Sequence, residues 1–336
     1  MKRIIITSQI RTYAEDYAKS LFVNRPASFY QPKNNLDDLK KKLSTHLSGK
    51  FYADYVQCIL DKYDDILLLE PEQFETYRRK YLNMITMEAC QKPVPGFENV
   101  TGIKKTEFYK LIVKAMRYDA VRDKEFLPYV KKLGIKTCVY CNAQYAVTTT
   151  PGQGGFATYQ LDHFYPKSKY PFLCTSFFNL QPSCAHCNGS KSKKDALFSI
   201  YTYDKDDLYP FVFCLDIKSI ARYIMTHDPE NLDIKLNVAN PEKKNLDLLK
   251  NHNDLFQIDS LYTEYRDVAE EVVWKAKIYN SAYRNQLSNS FKKIFPYELK
   301  DFPRFLLGNY TCVEDIHKRP LTKLMQDIAR EMGLLE

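Results

Sequence analysis

Few glycines, few prolines and no long apolar run set the first limits on this sequence. Ten glycines and 16 prolines in 336 residues, with 45% hydrophobic and 27% charged residues, are typical of a globular and not of a disordered chain. No apolar stretch approaches the roughly 20 residues that a membrane span requires. The opening apolar run, residues 4–6, is far shorter than the roughly 7 to 15 residues of a signal-peptide core. We therefore expect a soluble, cytoplasmic protein without a membrane contact.

Cysteine is also scarce, because nine cysteines in a chain this long are too few for a disulfide scaffold, and the odd count agrees with a reducing compartment. Four of the nine nevertheless form two close pairs, CVYC at Cys138 and Cys141 and CAHC at Cys184 and Cys187. A Cys-x-x-Cys turn lets two thiolates reach one tetrahedral zinc at about 2.3 Å, and two such turns complete a four-cysteine site. Four thiolates leave no open coordination position, so the sequence predicts a structural Zn²⁺ and not a catalytic one.

A rival interpretation of the pairs is thioredoxin-like redox chemistry, which needs a Cys-x-x-Cys at a helix start within a βαβ pattern. The surroundings of Cys138 show no such pattern. His186 lies inside the second pair and could replace a cysteine as ligand, although four thiolates already suffice. Cys174, between the two pairs, is interpreted as a buried residue or a bystander.

The formal net charge is +8, from 49 Lys and Arg residues against 41 Asp and Glu residues. A basic balance suggests a polyanionic partner such as nucleic acid, but a solvated basic surface would give the same sum. Charge alone leaves both interpretations open.

Apolar spacing divides the chain into three regions. Residues 36–130 carry apolar side chains three and four positions apart, which is typical of helices. Residues 134–203 are short β-branched and aromatic segments, among them a hairpin predicted at 144–164 around the turn PGQGG. The sequence therefore predicts an α+β protein with a helical domain at 1–133, a small middle domain at 134–203 and a helical domain at 204–336.

Within the last region one long helix is predicted over residues 261–283. Its apolar stripe is interpreted as packing and consists of Leu261, Tyr265, Val268, Val272, Ala276, Tyr279 and Tyr283. A final helix is predicted to end near Gly333.

Asp162 and His163 stand between the two cysteine pairs, at the end of the predicted hairpin. Adjacent residues of a strand point to opposite sides unless the strand ends or bulges there. A strand end would let both side chains reach one site. Taken alone, an Asp-His pair is more often an ion pair or a capping feature than a catalytic pair.

The order of the motifs along the chain is more specific than any single motif. A Cys-x-x-Cys pair, a hairpin, Asp162 with His163, a loop with Pro166, the segment FFNLQPSC with Asn179, and Cys-x-x-Cys-Asn-x-x-Lys follow one another. This ordered set resembles the HNH endonuclease family, which has the ββα-metal fold, in the subset that carries a four-cysteine zinc. The resemblance covers about residues 134–195. An HNH core between helical flanks is also loosely similar to nucleases of bacterial anti-phage defence, such as the Septu type, which work beside an ATPase partner.

The resemblance implies a role for each matching residue. His163 is expected to be the general base, Asn179 to brace the loop and orient His163, and Asp162 and Asn188 to bind a catalytic Mg²⁺ or Mn²⁺. The third signature position departs from the family name, because it holds Asn188 and not histidine. An amide oxygen suits a hard cation better than an imidazole does. The departure therefore bears on the identity of the metal more than on activity.

Basic residues lie on both sides of this predicted site. We interpret them as contacts to a nucleic-acid backbone, with a solvated basic face as the alternative for each. They are Lys167 and Lys169 in the loop after the histidine and Lys191, Lys193 and Lys194 after the second cysteine pair.

The sequence thus predicts a metal-dependent HNH endonuclease that hydrolyses phosphodiester bonds in DNA, as the effector of a bacterial antiviral defence system. The alternative is a zinc-stabilised nucleic-acid-binding module without catalysis, and a dithiol oxidoreductase is a third interpretation. The flanking helices are expected to bind an ATPase partner, to form a homodimer or to clamp nucleic acid. Whether the substrate is duplex DNA, single-stranded DNA or RNA stays open at this level.

Overall fold

The computed structural model describes residues 1–23, 25–26, 29–98, 100–149, 156–294 and 302–335. Helices and three two-stranded sheets make up the regular structure of these residues, in agreement with the coarse α+β class that the sequence predicts. None of the helices in the described ranges combines the length and apolar character that a bilayer crossing needs.

The chain folds into two compact units, each built from segments that are separated in sequence. The amino-terminal unit combines Ile4–Leu133 with Val147–Lys205, and the carboxy-terminal unit combines Met1–Arg3, Gly134–Ala146 and Asp206–Glu336. The three-domain division at residues 133 and 203 stays a prediction.

The amino-terminal unit is mainly helical up to residue 132. Its helices are α1 Ser8–Ser20, α2 Pro32–Leu43, α3 Lys50–Asp61, α4 Tyr63–Leu67, α5 Pro71–Met84, α6 Met87–Cys90, α7 Phe108–Ala115, α8 Tyr118–Ala120 and α9 Leu127–Lys132. Thr7 accepts a hydrogen bond from the backbone N–H of Ile10 and so caps α1, while Glu70 and Gln73 form a capping box at the start of α5. The helical pattern predicted for this region is confirmed.

Four short strands and one more helix complete this unit. β1 Ile4–Ile5 pairs in parallel with β4 Tyr201–Thr202, and β2 Gln160–His163 pairs antiparallel with β3 Leu180–Ser183. In the second pair Asp162 lies opposite Gln181, and His163 lies opposite Leu180. Helix α10 Ala185–Lys191 follows β3 after one residue. The local order is therefore strand, strand, helix.

The hairpin predicted at 144–164 is confirmed only near its turn, and its second half pairs elsewhere. The strand that ends at His163 pairs with Leu180–Ser183, across a connection that contains two short 3₁₀ turns. Nearer the turn, the two segments of the predicted hairpin do meet at an antiparallel bridge between Thr148 and Ala157. Backbone hydrogen bonds from Thr149 N–H to the carbonyl oxygen of Phe156, at 2.9 Å, and from Thr158 N–H to the carbonyl oxygen of Val147, at 3.0 Å, flank this bridge. The predicted turn PGQGG, residues 151–155, lies outside the described residues.

Aromatic contacts hold the β2–β3 connection against the helices. Phe172 stacks on Tyr81 of α5 with ring centroids 4.0 Å apart, and Phe177 packs against Tyr17 of α1 at 5.8 Å. The Tyr17 hydroxyl also donates a hydrogen bond of 2.8 Å to the carbonyl oxygen of Thr175. Buried aromatic pairs of this kind fix the path of a loop that has little regular structure of its own.

The carboxy-terminal unit contains a β-ribbon and seven helices among its described residues. The strands β5 Phe211–Leu215 and β6 Ile234–Val238 pair antiparallel. The helices are α11 Ile217–Thr226, α12 Lys243–Phe256, α13 Ile258–Thr263, α14 Arg266–Ile278, α15 Ser281–Ile294, α16 Phe302–Leu307 and α17 Thr322–Glu331. The last helix ends two residues before Gly333, as predicted.

The single long helix predicted over 261–283 is wrong, because three helices occupy this stretch. The backbone leaves the helical region at Tyr265, with φ −113° and ψ 28°, and again at Tyr279, with φ −89° and ψ 57°. Each break interrupts the predicted stripe. The buried side chains of α14 are consequently Ala269, Val272 and Val273.

Candidate active site and metal centre

The four paired cysteines form one compact cluster. All four are buried, and their sulfur atoms lie within 4.8 Å of one another; they are Cys138, Cys141, Cys184 and Cys187. Four thiolates at about 2.3 Å from a tetrahedral zinc have sulfur–sulfur distances of about 3.8 Å, so the cluster has the size and the donor chemistry that zinc requires. The four-cysteine metal site predicted from the spacing is confirmed at this level.

Backbone groups support the cluster. The N–H of Ala143 points to Sγ of Cys141 and the N–H of Cys187 points to Sγ of Cys184, each at 3.4 Å. Such N–H···S contacts stabilise thiolates and orient them for a metal. Cys174 is not part of the cluster: its Sγ lies 3.6 Å from the sulfur of Met116, and burial raises the pKa of this thiol to about 12.

Asp162, His163 and Asn188 line one cleft in the amino-terminal unit. The cleft has a volume of about 310 Å³. Asp162 and His163 are the last two residues of β2, and Asn188 lies in α10. Because β2 ends at His163, both neighbouring side chains reach the same cleft, as the sequence suggested for a strand end.

His163 is held by a backbone carbonyl and an aromatic ring. Its Nε2 lies 2.9 Å from the carbonyl oxygen of Cys174, which can only accept a hydrogen bond, so this contact assigns the proton to Nε2 and the lone pair to Nδ1. The ring of Tyr118 packs on the imidazole with centroids 4.6 Å apart. Burial lowers the pKa of His163 well below its usual value, with the positive charge of Lys167 as a second cause. The imidazole is therefore neutral at physiological pH.

Asn179 is fully buried and braces the loop that follows His163. Its Oδ1 accepts a hydrogen bond of 2.8 Å from the backbone N–H of Tyr165, and its Nδ2 donates to the carbonyl oxygens of Tyr165 and Leu173 at 3.2 and 3.0 Å. These bonds hold the segment just before Cys174, whose carbonyl orients His163. The geometry suits the bracing role expected of Asn179, while its effect on catalysis stays a prediction.

Lys191 does not lie on a solvated face. It is fully buried, and its Nζ lies 3.1 Å from Oδ2 of Asp162 and donates a hydrogen bond of 2.6 Å to the carbonyl oxygen of His163. The expected contact with a nucleic-acid backbone does not fit this position, because the carboxylate at residue 162 provides the counter-charge inside the protein. The sequence showed the lysine spacing but not this partner.

The other predicted basic residues have different surroundings. Lys169 forms an ion pair of 2.8 Å with Asp195, and Lys193 donates to the side-chain oxygen of Gln91 at 3.2 Å and also lines the cleft. Lys194 is exposed. Lys167 lies with Nζ 4.8 Å from the ring centroid of Tyr118, lines the cleft, and has its pKa lowered by burial.

Asn188 contacts a residue of the neighbouring strand. Its Nδ2 donates a hydrogen bond to Oε1 of Gln160, the first residue of β2, which leaves its Oδ1 as a neutral oxygen donor. Asp162 adds a carboxylate in the same cleft, so the donor set suits a hard divalent cation. The Asp162 carboxylate is shared with the Lys191 ammonium, and a cation would have to bind beside that contact.

Several further residues of the cleft, Tyr109 and Ser168 among them, were not predicted from the sequence. Tyr109 comes from α7 and Ser168 from the loop after His163, and both line the cleft. No local pattern marks Tyr109, since helix α7 reads as an ordinary amphipathic helix. Ser168 stands five residues after His163, and its proximity in sequence was the available signal.

Comparison with known proteins finds a partial likeness. No family model matches the chain, and no solved structure matches it. A curated protein of Bacillus thuringiensis named Septu protein PtuB is 33% identical over 73 residues, which is 20% of this chain. The matched stretch covers 26% of that protein's own length. The chain is thus similar, over about a quarter of the relative, to a Septu protein.

Proposed function

We propose that the protein is a metal-dependent HNH-type endonuclease that hydrolyses phosphodiester bonds in DNA. The observation that supports this most is the convergence of Asp162, His163 and Asn188 on one cleft. These are three of the residues to which the HNH resemblance gives catalytic roles. The order strand, strand, helix from β2 to α10 is also the order of elements in a ββα-metal fold.

His163 would act as the general base through Nδ1. The bond between Nε2 and the carbonyl of Cys174 leaves Nδ1 as the basic nitrogen of a neutral ring. Nδ1 would take a proton from water while the water oxygen bonds to phosphorus and the bond from phosphorus to the 3′ oxygen breaks. Protonation of the departing oxygen by solvent then leaves 5′-phosphate and 3′-hydroxyl ends.

Asp162 and Asn188 would hold a divalent cation, Mg²⁺ or Mn²⁺. Such a cation supplies charge neutralisation for the phosphate. Lys191 would keep the Asp162 carboxylate and the end of β2 in place through its contacts with Asp162 and with the carbonyl of His163. Asn179 would keep the loop that carries the Cys174 carbonyl in register.

We further propose a role in bacterial anti-phage defence. The likeness to a Septu protein over 73 residues supports this, together with the HNH pattern between helical flanks. An ATPase partner belongs to the same proposal.

Cleavage assays test the proposed activity. Wild type, His163→Ala and the control His46→Ala, which changes an exposed histidine on another part of the unit, would be incubated with plasmid DNA, single-stranded DNA and RNA in Mg²⁺, Mn²⁺ or EDTA. We expect metal-dependent cutting by wild type and His46→Ala, and none by His163→Ala. Equal cutting by all three would contradict the role of His163. Nucleic-acid binding without cutting by the folded, zinc-loaded wild type would favour the alternative, a binding module without catalysis.

A further inference from the structure

Ser168 carries a buried hydroxyl without a partner at the wall of the candidate cleft. The residue is 5% exposed, and its Oγ makes no hydrogen bond among the described residues. It lines the same 310 Å³ cleft as Asp162 and His163. Most buried polar groups in folded proteins are hydrogen-bonded, and one that is not calls for an explanation.

Hydrogen bonds of the neighbouring residues hold the backbone around Ser168. The carbonyl oxygen of Pro166 accepts hydrogen bonds of 2.9 Å from the N–H groups of both Lys169 and Tyr170, which closes a tight turn with Ser168 inside it. The phenol of Tyr170 in turn accepts a hydrogen bond of 2.6 Å from Arg78 on α5. The backbone at Ser168 is therefore held in place beside the cleft.

The charges of the cleft favour an anionic partner. Lys167 and Lys193 line it, and neither forms an ion pair with a carboxylate among the described residues. Asp162, the one carboxylate among the described residues that line the cleft, already faces the ammonium of Lys191 at 3.1 Å. The cleft thus offers a hydroxyl donor and two lysines, while its carboxylate is already paired with Lys191. These groups suit a phosphate oxygen, since O–H···O⁻ hydrogen bonds are stronger than hydrogen bonds between neutral groups.

We propose that Ser168 donates a hydrogen bond from Oγ to a non-bridging oxygen of a substrate phosphodiester, and that Lys167 and Lys193 complete this phosphate subsite. The inference rests on the proposed nuclease function and names the residues that seat the phosphate beside His163. In this role Ser168 contributes to substrate binding and not to the internal stability of the protein.

Substitution of Ser168 should affect protein stability and DNA binding differently. Ser168→Ala removes no side-chain hydrogen bond within the described part of the chain, so its melting temperature should equal or slightly exceed that of wild type. Its affinity for a fluorescein-labelled DNA oligonucleotide, measured by anisotropy in EDTA, should fall by about tenfold or more, as expected for loss of a hydrogen bond to a charged group. The KM for cleavage should rise by a similar factor.

Two further variants separate chemistry from packing. Ser168→Cys keeps the size of the side chain but offers only a weak donor, so it should bind DNA as poorly as Ser168→Ala. Ser176→Ala removes another fully buried hydroxyl, which has no hydrogen-bond partner in the described ranges and does not line the cleft. It should bind and cut as wild type does.

The outcomes are distinct. A wild type that binds and cuts, with Ser168→Ala equal to it in affinity and KM, would refute the role of Ser168 and leave the nuclease proposal intact. Full binding by Ser168→Cys would also refute it, since only packing would then matter. A folded wild type that neither binds nor cuts DNA or RNA would overturn both proposals together.

Discussion

The ammonium of Lys191 lies 3.1 Å from the carboxylate of Asp162, and the two side chains are 0% and 6% exposed. The same ammonium donates to the carbonyl oxygen of His163, the next residue of β2. One buried cation thus contacts the side chain of one candidate catalytic residue and the backbone of the other. Breaking a buried pair is costly, because the remaining charge loses its partner in a place that water does not reach.

Lys191→Met should therefore destabilise the protein strongly. We expect the free energy of unfolding to fall by about 3–5 kcal/mol, as for other broken buried pairs, measured by chemical denaturation. Lys194→Met, at an exposed position three residues on, should change it by no more than about 0.5 kcal/mol. Adding Asp162→Asn to Lys191→Met should recover part of the loss, and a double variant as unstable as the sum of the two single ones would contradict direct pairing.

Zinc content should follow the four clustered cysteines. Purified protein is expected to contain one zinc per chain by elemental analysis, and Cys184→Ser should lose zinc together with solubility or folding, because metal binding contributes folding free energy. Cys312→Ser changes an exposed cysteine outside the cluster and serves as the control. A stable, zinc-loaded Cys184→Ser variant would show that this cysteine is not a ligand.

Substitution of Asn179 and of Asn188 should both abolish cleavage but should differ in their effect on the free energy of unfolding. Asn179→Ala removes three hydrogen bonds of a buried side chain, and we expect a loss of about 2–4 kcal/mol in unfolding free energy and loss of cleavage. Asn188→Ala removes one contact to an exposed glutamine and should cost less than about 1 kcal/mol. It should nevertheless abolish metal-dependent cutting. Full activity of Asn188→Ala would remove this residue from the proposed metal site.

Acid should weaken the carboxy-terminal unit through two buried histidines. Burial lowers the pKa of both His252 and His317 to about 3, and each ring contacts a backbone carbonyl through Nε2. The folded pKa lies below the unfolded value of about 6.5, so the unfolded state binds more protons and stability falls as pH decreases from about 6.5 towards 3. At pH 5 each histidine should cost roughly 2 kcal/mol.

The comparison of wild type with His252→Gln measures this effect. The variant cannot titrate at residue 252, so the difference in unfolding free energy between pH 7.5 and pH 5 should be smaller by roughly 2 kcal/mol. Zinc content of both proteins is measured at each pH, because the Tyr140 carbonyl that His252 contacts lies between the clustered Cys138 and Cys141. An identical pH dependence would mean that His252 is protonated in the folded state or reaches solvent.

The parts of the site that depend on local spacing could be predicted. Each Cys-x-x-Cys turn places two sulfurs close together, and the two turns together form the four-sulfur cluster. The end of a strand brings the side chains of Asp162 and His163 to one cleft. The partner of Lys191 could not be predicted, because a buried ion pair between residues 29 positions apart depends on how α10 packs on β2. The unpartnered state of Ser168 is likewise a property of packing alone.

Errors in the fold prediction have similar causes. FVFCL at Phe211–Leu215 alternates buried and half-buried residues as a strand, but five consecutive apolar residues do not distinguish strand from helix. Residues 261–283 keep a helical spacing throughout, and the breaks at Tyr265 and Tyr279 have no proline or glycine to mark them. The pairing of β2 with β3 was not predicted, because the glycine-rich turn before β2 favoured a hairpin at 144–164 instead.

Tyr118 gives the candidate site a spectroscopic label of its own. Its ring lies 4.6 Å from the imidazole of His163 and 4.8 Å from the ammonium of Lys167, and its hydroxyl is fixed by a hydrogen bond of 2.6 Å to the carbonyl oxygen of Leu161. The ring current of a fixed aromatic side chain displaces the NMR signals of nuclei above its face. The resonances of His163 and Lys167 should therefore stand apart from those of the other histidines and lysines. Titration with a nucleotide or a divalent cation can then be followed at the site itself, without any cleavage.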